Sequence, residues 1–229
     1  MHILGALFDL DGTLLDTEPL YDEAEQKIIN LYGNGKIIDL ETKQQLLGTP
    51  AFFNCKFLVE KYQVKLTPSE FEKMRDEFLV ESFRNCKFKK GAKEVVHKCK
   101  YDLGLKSAIA TGSSRLNFDN KVYKLKEWVN EYIDVVITSD NIKRGKPDPD
   151  IFILAAQELG LQPNQCIVFE DGLPGVKAAI SAGAKIVVAI IEDYQRPSFE
   201  GLIYDKNKTR LIILNSLEEF DFSLITGQK

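Results

Sequence analysis

Short apolar runs alternate along the chain with segments of helical periodicity. Most runs are closely followed by polar or small residues, which is the pattern of a buried parallel strand. The predicted strands span residues 3–8, 106–110, 135–138, 166–169 and 185–190. The predicted helices span residues 91–101, 118–123, 150–159 and 174–182. Strands that alternate with helices predict right-handed crossovers and a doubly wound, Rossmann-like parallel sheet of the α/β class.

One long stretch breaks this alternation. Between the first two predicted strands, the sequence contains only helix-like segments, at residues 20–32, 40–47, 51–62 and 68–83. Such a block is too long for a connecting loop in a compact domain. We therefore predict a small all-helical domain at residues 15–90, inserted into an α/β core formed by residues 1–14 and 91–229.

Composition and charge narrow the function classes. The 229 residues are 44% hydrophobic and 28% charged, which is typical of a globular protein. A formal net charge of −4 argues against nucleic acid or an anionic membrane as a partner. The apolar N-terminal stretch is too short for a signal peptide or a membrane span. Four cysteines without a CxxC pair indicate free thiols in a reducing compartment, so we expect a cytoplasmic protein.

Two carboxylates follow the first predicted strand. Asp9 and Asp11 are two residues apart, so in an extended segment both side chains face one small volume. Carboxylates held this close require a compensating cation or a shared proton, and Mg²⁺ prefers such oxygen ligands. Taken alone, this pattern also fits a solvated turn or a helix cap.

Three other predicted strand ends carry polar clusters. Residues 110–114 form a turn of small residues whose hydroxyls and N–H groups suit a phosphate. Pro147 follows Lys146 and favours an extended backbone there, so a stiff loop holds the lysine. Glu170 and Asp171 follow a buried strand and are a second acidic pair. Each cluster alone could be a cap or turn, but the carboxyl ends of parallel strands form one ligand-binding edge, so the four together predict a site.

Four motifs in this order resemble the haloacid dehalogenase superfamily. They are FDLDGT (8–13), ATGSS (110–114), GKPDPD (145–150) and VFEDGLPGVKAA (168–179). The helical insertion resembles the cap domain that members of the superfamily carry after the first motif. The runs FNCKFLVEKY and SSRLNFDNK are most similar to pseudouridine-5′-phosphatase-like proteins.

The resemblance implies a role for each motif residue. Asp9 would be the nucleophile that forms an aspartyl-phosphate, and Asp11 the general acid and base. The residues implied in phosphate binding are Thr111, Gly112, Ser113 and Lys146. The groups implied in Mg²⁺ binding are the Asp9 carboxylate, the Asp11 carbonyl and the pair Glu170 and Asp171, of which either could be the direct ligand. Weaker assignments place cap specificity at Thr17, Glu18, Gly48 and Thr49.

The sequence therefore predicts a monomeric, magnesium-dependent phosphatase that acts on a small phosphorylated metabolite. A phosphomutase of the β-phosphoglucomutase type would share every core residue. The resemblance places an arginine of the mutases in the loop that corresponds to residues 48–53, where this sequence has none. A catalytically inactive binding protein is a further alternative, although all the motif residues are present.

Overall fold

The computed structural model describes residues 2–46, 51–202, 204–206 and 208–226. Contacts divide the chain into two compact units. We call Met1–Asp16 with Lys87–Lys229 the core unit and Thr17–Cys86 the helical unit. The domain limits predicted from the sequence were residues 15 and 90.

The helical unit is built from α1 (Glu18–Tyr32), α2 (Leu40–Leu46), α3 (Ala51–Lys61) and α4 (Pro68–Phe83). No strand occurs in its described residues, 17–46 and 51–86. The start of α4 is fixed by a capping box, in which the Thr67 hydroxyl accepts the Glu70 N–H and the Glu70 carboxylate accepts the Thr67 N–H. The apolar core of the helical unit includes the buried residues Ile28, Ile29, Leu58 and Phe71.

The core unit contains a six-stranded parallel sheet, so the predicted doubly wound α/β fold is confirmed. The strands are β1 (Gly5–Phe8), β2 (Lys106–Ala110), β3 (Val135–Ile137), β4 (Cys166–Glu170), β5 (Ile186–Ile190) and β6 (Arg210–Leu214). Their order is β3-β2-β1-β4-β5-β6. The sequence analysis did not predict β6. The strand order reverses between β1 and β4, and in such sheets ligands bind at the carboxyl ends of the strands beside this switch point.

Seven α-helices of the core unit connect or flank these strands within the described residues. They are α5 (Ala92–His97), α6 (Arg115–Lys121), α7 (Lys126–Tyr132), α8 (Asp150–Glu158), α9 (Leu173–Ala182), α10 (Arg196–Glu200) and α11 (Ser223–Thr226). Helix α5 continues as a π-helical stretch, Lys98–Asp102, which completes the helix predicted there. No predicted segment corresponded to α7, α10 or α11.

The apolar core explains why the two central strands are continuous hydrophobic runs. Every residue of β1 and β4 is buried, since helices cover both faces of a parallel sheet. Phe8 and Phe169 stack with their ring centroids 5.0 Å apart, one residue before the polar ends of the two strands. Across the residues described, we find no helix with the length and apolar character needed to cross a membrane.

Candidate active site

Asp9 lies at the switch point of the sheet. It directly follows β1, and its backbone N–H donates to the carbonyl oxygen of Phe169 on β4 over 2.9 Å. Only 6% of the residue is exposed. The strand pairing therefore fixes the backbone that carries this carboxylate, as the apolar run before it predicts.

Lys146 joins the ends of β1 and β4. Its ammonium donates to Asp9 Oδ1 and, over 2.7 Å, to Glu170 Oε1. All three side chains are largely buried, with exposed fractions of 13% for Lys146, 8% for Asp9 and 3% for Glu170. The lysine that sequence analysis placed on a stiff loop is thus the common partner of two predicted carboxylates.

The charges in this cluster are unbalanced, because two buried carboxylates share one ammonium. Burial, with the added repulsion of Glu170 and Asp11, raises the pKa of Asp9 to about 7 against the opposing effect of Lys146. Burial opposes the charge on Lys146, but Asp9 and Glu170 outweigh it and raise the pKa of the lysine. Lys146 is therefore cationic at neutral pH, and a further cation would favour the ionised form of Asp9.

Asp11 lies in a second cluster with Ser113 and Lys121. The Ser113 hydroxyl donates to Asp11 Oδ2 over 2.8 Å, and the Lys121 ammonium lies 2.6 Å from Asp11 Oδ1. The same ammonium donates to Ser113 Oγ over 2.7 Å. Ser113 therefore forms a hydrogen bond with one oxygen of Asp11, and Lys121 lies at ion-pair distance from the other.

The turn after β2 shows how the predicted phosphate-binding residues are arranged. Thr111 is fully buried, and its hydroxyl oxygen accepts the Ser113 N–H over 3.1 Å. Gly112 is exposed, with open space where a Cβ atom would be. Ser114, rather than Ser113, caps helix α6 through a hydrogen bond from the Asn117 N–H. Ser113 is consequently available for Asp11.

Asp171 is held from the side of the first motif. The Thr13 hydroxyl donates to Asp171 Oδ1 over 3.0 Å. Gly12 has a φ of +76°, and a Cβ there would lie 2.1 Å from Asp171 Oδ2. Only glycine therefore allows the backbone of the first motif to approach Asp171 this closely.

Glu170 is fixed by its own loop and helix. Its Oε2 accepts the Gly172 N–H over 2.7 Å, while Oε1 accepts from Lys146. Gly175 on α9 leaves room for this carboxylate, since a Cβ at that position would lie 1.6 Å from Glu170 Oε1. Gly175 of the fourth motif thus has a packing role at the site.

The donor set fits a hard divalent cation, although no group of three acidic, histidine or cysteine side chains in the described residues already forms a metal cluster. Mg²⁺ commonly takes only one or two carboxylates, and completes its octahedron with water and phosphate. Asp9, a backbone carbonyl and one acid of the Glu170–Asp171 pair would supply that set. The excess negative charge around Asp9 favours such an ion.

The structure gathers some of the predicted residues into two clusters and leaves others outside them. The structure brings Asp9, Lys146 and Glu170 together, and separately Asp11 and Ser113. Thr17 and Glu18 belong to the helical unit, where Thr17 is buried at the N-terminus of α1 and Glu18 is exposed in its first turn. Gly48 and Thr49 lie outside the described residues.

Sequence reasoning missed two residues that hold the predicted acids, Thr13 and Lys121. Thr13 lies within the first motif but was given no role. Lys121 is 110 positions from Asp11, and no spacing rule joins them. One signal was present: Lys121 follows Phe118 by three residues, so the two share a helix face, and Phe118 is buried. A lysine on a buried helix face needs a partner.

Comparison with known proteins shows the family of this chain. The family model of haloacid dehalogenase-like hydrolases matches residues 3–183. A phosphorylated carbohydrates phosphatase of Thermotoga maritima is 32% identical over 82% of this chain and 85% of its own length. A probable pseudouridine-5′-phosphatase of Saccharomyces cerevisiae is 31% identical over 81% of both chains.

A solved structure from Thermotoga maritima, provisionally assigned as a β-phosphoglucomutase, superposes with a TM-score of 0.70 at 27% identity and covers 98% of this chain and 97% of its own. The match to the family model extends over most of the core unit and through the helical unit. The chain therefore belongs to the haloacid dehalogenase-like hydrolases, and its class of activity is phosphomonoester hydrolysis.

Proposed function

We propose that this protein is a magnesium-dependent phosphatase that hydrolyses a small phosphorylated metabolite through an aspartyl-phosphate on Asp9. The observation that carries the proposal is the pair of clusters at the switch point. One holds a buried carboxylate against Lys146, and the other holds a second carboxylate two residues further along the chain. Nucleophilic catalysis by a carboxylate needs a nearby cation and a separate proton donor.

In the first step, an Asp9 carboxylate oxygen forms a bond to phosphorus while the bond from phosphorus to the ester oxygen breaks. Asp11 gives a proton to the departing alkoxide. In the second step, Asp11 takes a proton from a water molecule, whose oxygen attacks phosphorus and releases Asp9 and inorganic phosphate. Lys146, Thr111 and the Gly112 N–H would bind the phosphoryl oxygens and stabilise their charge.

Bound Mg²⁺ would neutralise negative charge on the phosphoryl group. We propose the Asp9 carboxylate, the Asp11 carbonyl and Asp171 as its protein ligands. Glu170 is a less suitable direct ligand, because its two oxygens already accept hydrogen bonds from Lys146 and the Gly172 N–H. Its role would then be to orient Lys146 beside Asp9.

The substrate class we propose is a sugar phosphate or a nucleoside monophosphate, pseudouridine 5′-phosphate included. The named activities of the two curated relatives support this class. We propose that the helical unit acts as a cap that selects the substrate, with Thr17, Glu18, Gly48 and Thr49 as the first positions to test.

A phosphomutase is the second candidate, favoured by the similarity to the provisional β-phosphoglucomutase. It would use the same Asp9 and Asp11 but return the phosphate to another hydroxyl of the sugar. The absence of arginine from residues 48–53 argues against binding of a second phosphate group there. A requirement for a bisphosphate activator would support the mutase.

The deciding experiment measures phosphate release from a panel of metabolites with Mg²⁺ and with excess chelator. The panel contains pseudouridine 5′-phosphate, common nucleotides, hexose and pentose phosphates, and glycerol phosphate. Asp9→Asn tests the nucleophile, and Asp193→Asn is the matched control because its side chain is 80% exposed.

We expect magnesium-dependent turnover that Asp9→Asn abolishes and Asp193→Asn retains. Turnover by Asp9→Asn would exclude the aspartyl-phosphate. No release from any substrate would favour the mutase, tested next with β-glucose 1-phosphate and a bisphosphate activator, or an inactive binding protein.

A further inference from the structure

Lys121 is a buried lysine beside the proposed general acid and base. It ends helix α6, and its side chain has an exposed fraction of 0%. Burying an ammonium group is unfavourable unless charged or polar partners replace water. A lysine at this position therefore has a specific partner set rather than a solvated surface role.

Its partners form a closed triangle with Asp11. The ammonium lies 2.6 Å from Asp11 Oδ1 and donates to Ser113 Oγ over 2.7 Å. Ser113 has a single hydroxyl hydrogen, which it donates to Asp11 Oδ2 over 2.8 Å. The directions of these hydrogen bonds are mutually consistent, because Ser113 accepts from the lysine and donates to the carboxylate.

This triangle fixes the orientation of the Asp11 carboxylate. A carboxylate held at one oxygen can still rotate about its χ2 bond, whereas contacts at both oxygens set the plane of the group. Asp11 is itself partly exposed, with 29% of its side chain accessible. Loss of the Lys121 contact would weaken the restraint on this orientation, and misplacement of a proton donor by about 1 Å can cost on the order of 10²-fold in rate.

Lys121 points away from solvent, since no part of its side chain is exposed. This distinguishes it from Lys146, whose side chain remains 13% exposed and whose partner is the proposed nucleophile. The two buried lysines thus contact different carboxylates. Lys146 contacts the proposed nucleophile, and Lys121 contacts the proposed general acid and base.

We propose that Lys121 is a positioning residue, which with Ser113 orients Asp11 for proton transfer to and from the ester oxygen. This inference rests on the proposed phosphatase function. A general acid matters most when the leaving group is a poor one, such as an alkoxide, and little when a stable phenolate leaves. The decrease in rate caused by replacing Lys121 should therefore depend on the leaving group.

The test compares kcat for an alkyl phosphate, such as glycerol phosphate or the best metabolite of the panel, with kcat for p-nitrophenyl phosphate. We expect Lys121→Met to lower kcat for the alkyl ester about 10- to 100-fold. This is at most the lower end of the usual contribution of a general acid, because Asp11 itself remains. The kcat for the aryl ester should change much less. KM for both should change little. Lys121→Gln is the second variant, in case Met is not tolerated.

The ratio of the two kcat values does not depend on how much of a variant is folded, so it separates positioning from stability. Lys106→Met is the matched control, since this core-unit lysine donates to the Leu159 carbonyl over 2.7 Å, away from Asp11. It should lower both rates equally or not at all.

A double-mutant cycle completes the test. If Lys121 acts through Asp11, then Lys121→Met should cause no further leaving-group-dependent loss when Asp11 is already Asn. Equal losses on both esters, or a full additional loss in the Asp11→Asn background, would overturn the positioning role. If Asp11→Asn itself shows no dependence on the leaving group, the proposed acid–base function fails, and the positioning role with it.

Discussion

The helical unit contains a buried carboxyl group that should make its stability fall as the pH rises. Glu25 on α1 is 9% exposed, and its Oε1 lies 3.9 Å from a guanidinium nitrogen of Arg75 on α4, which is 5% exposed. Burial, with a smaller contribution from Asp22, raises the pKa of Glu25 from 4.5 to about 7, although Arg75 and Lys43 oppose the shift. The folded protein therefore retains a proton on Glu25 that the unfolded chain has already lost.

The sign and size of the effect follow from proton linkage. Between pH 4.5 and about 7 the folded state binds one more proton than the unfolded state, so the free energy of unfolding decreases as the pH rises. Each pH unit is worth about 1.36 kcal/mol, and the two pKa values differ by about 2.5 units, so the full loss is about 3 kcal/mol. The stabilisation is complete below pH 4.5 and is lost above about pH 7.

Glu25→Gln replaces the acid with a neutral amide of nearly the same shape, so it should remove this pH dependence. We expect the free energy of unfolding of the variant, relative to that of the wild type, to rise by about 3 kcal/mol from pH 4.5 to pH 8. Urea unfolding followed by circular dichroism at both pH values measures the difference. Glu72→Gln is the matched control, since Glu72 lies 3.8 Å from the same arginine but is 35% exposed.

The control should shift the relative stability by less than about 0.5 kcal/mol between the same pH values. If the wild type and Glu25→Gln keep the same difference in unfolding free energy at pH 4.5 and pH 8, the proposed proton on Glu25 does not exist. An equal change in Glu72→Gln would mean that Arg75, rather than buried Glu25, sets the pH dependence.

Three further predictions concern single side chains. Lys146→Met should lower kcat at least about 10²-fold, because it removes the cation beside Asp9; phosphate release at saturating substrate measures it. Gly175→Ala should raise the Mg²⁺ concentration needed for half-maximal activity and lower kcat by about 10-fold or more. The reason is that the added Cβ would lie 1.6 Å from Glu170 Oε1 and displace this carboxylate. A magnesium titration measures both effects. Thr67→Ala should cost about 1 kcal/mol by removing the N-cap of α4; urea unfolding measures it.

The controls for these variants use positions without the same contacts. Gly183→Ala alters the C-terminal cap of the same helix α9 but has nothing within 4 Å of its added Cβ, so it should leave the magnesium requirement unchanged. Lys177→Met removes a lysine from the exposed face of α9 and should retain activity. Retained activity in Lys146→Met, an unchanged magnesium requirement in Gly175→Ala, or a stability loss below about 0.3 kcal/mol in Thr67→Ala would contradict the corresponding argument.

Much of the core fold could be predicted because β1, β4 and β5 are buried throughout and β2 is buried over its last four residues, so their sequences are mainly apolar. Strand β6 was missed for the opposite reason. Among the described residues it pairs only with β5, at the edge of the sheet, and its residues are partly or fully exposed. A run as short as RLIIL is equally compatible with a helix when periodicity is the only evidence. Register and pairing, which decide the matter, depend on the neighbouring strand.

The site was predictable to the same extent, because parallel strands gather their carboxyl ends at one edge. Asp9 and Glu170 each occupy the end of a buried strand, so the strand pattern alone places them together. Lys146 required one further argument, from the stiffness that Pro147 imposes on its loop. Thr13 and Lys121 depend instead on side-chain packing within the finished fold, and local sequence gives that information only weakly.

Lys121 shows what the sequence does hold about such residues. The buried face of α6 carries Phe118, and the lysine three residues later lies on that same face. A charged residue on an apolar helix face is unfavourable without a partner, so its presence indicates an oppositely charged group in the core. Asp11, in a strand-end motif with an excess of acids, is such a group. The first motif has more carboxylates than a turn requires, and α6 has a lysine on its buried face. Each feature accounts for the other, because the fold brings the Lys121 ammonium within 2.6 Å of Asp11 Oδ1.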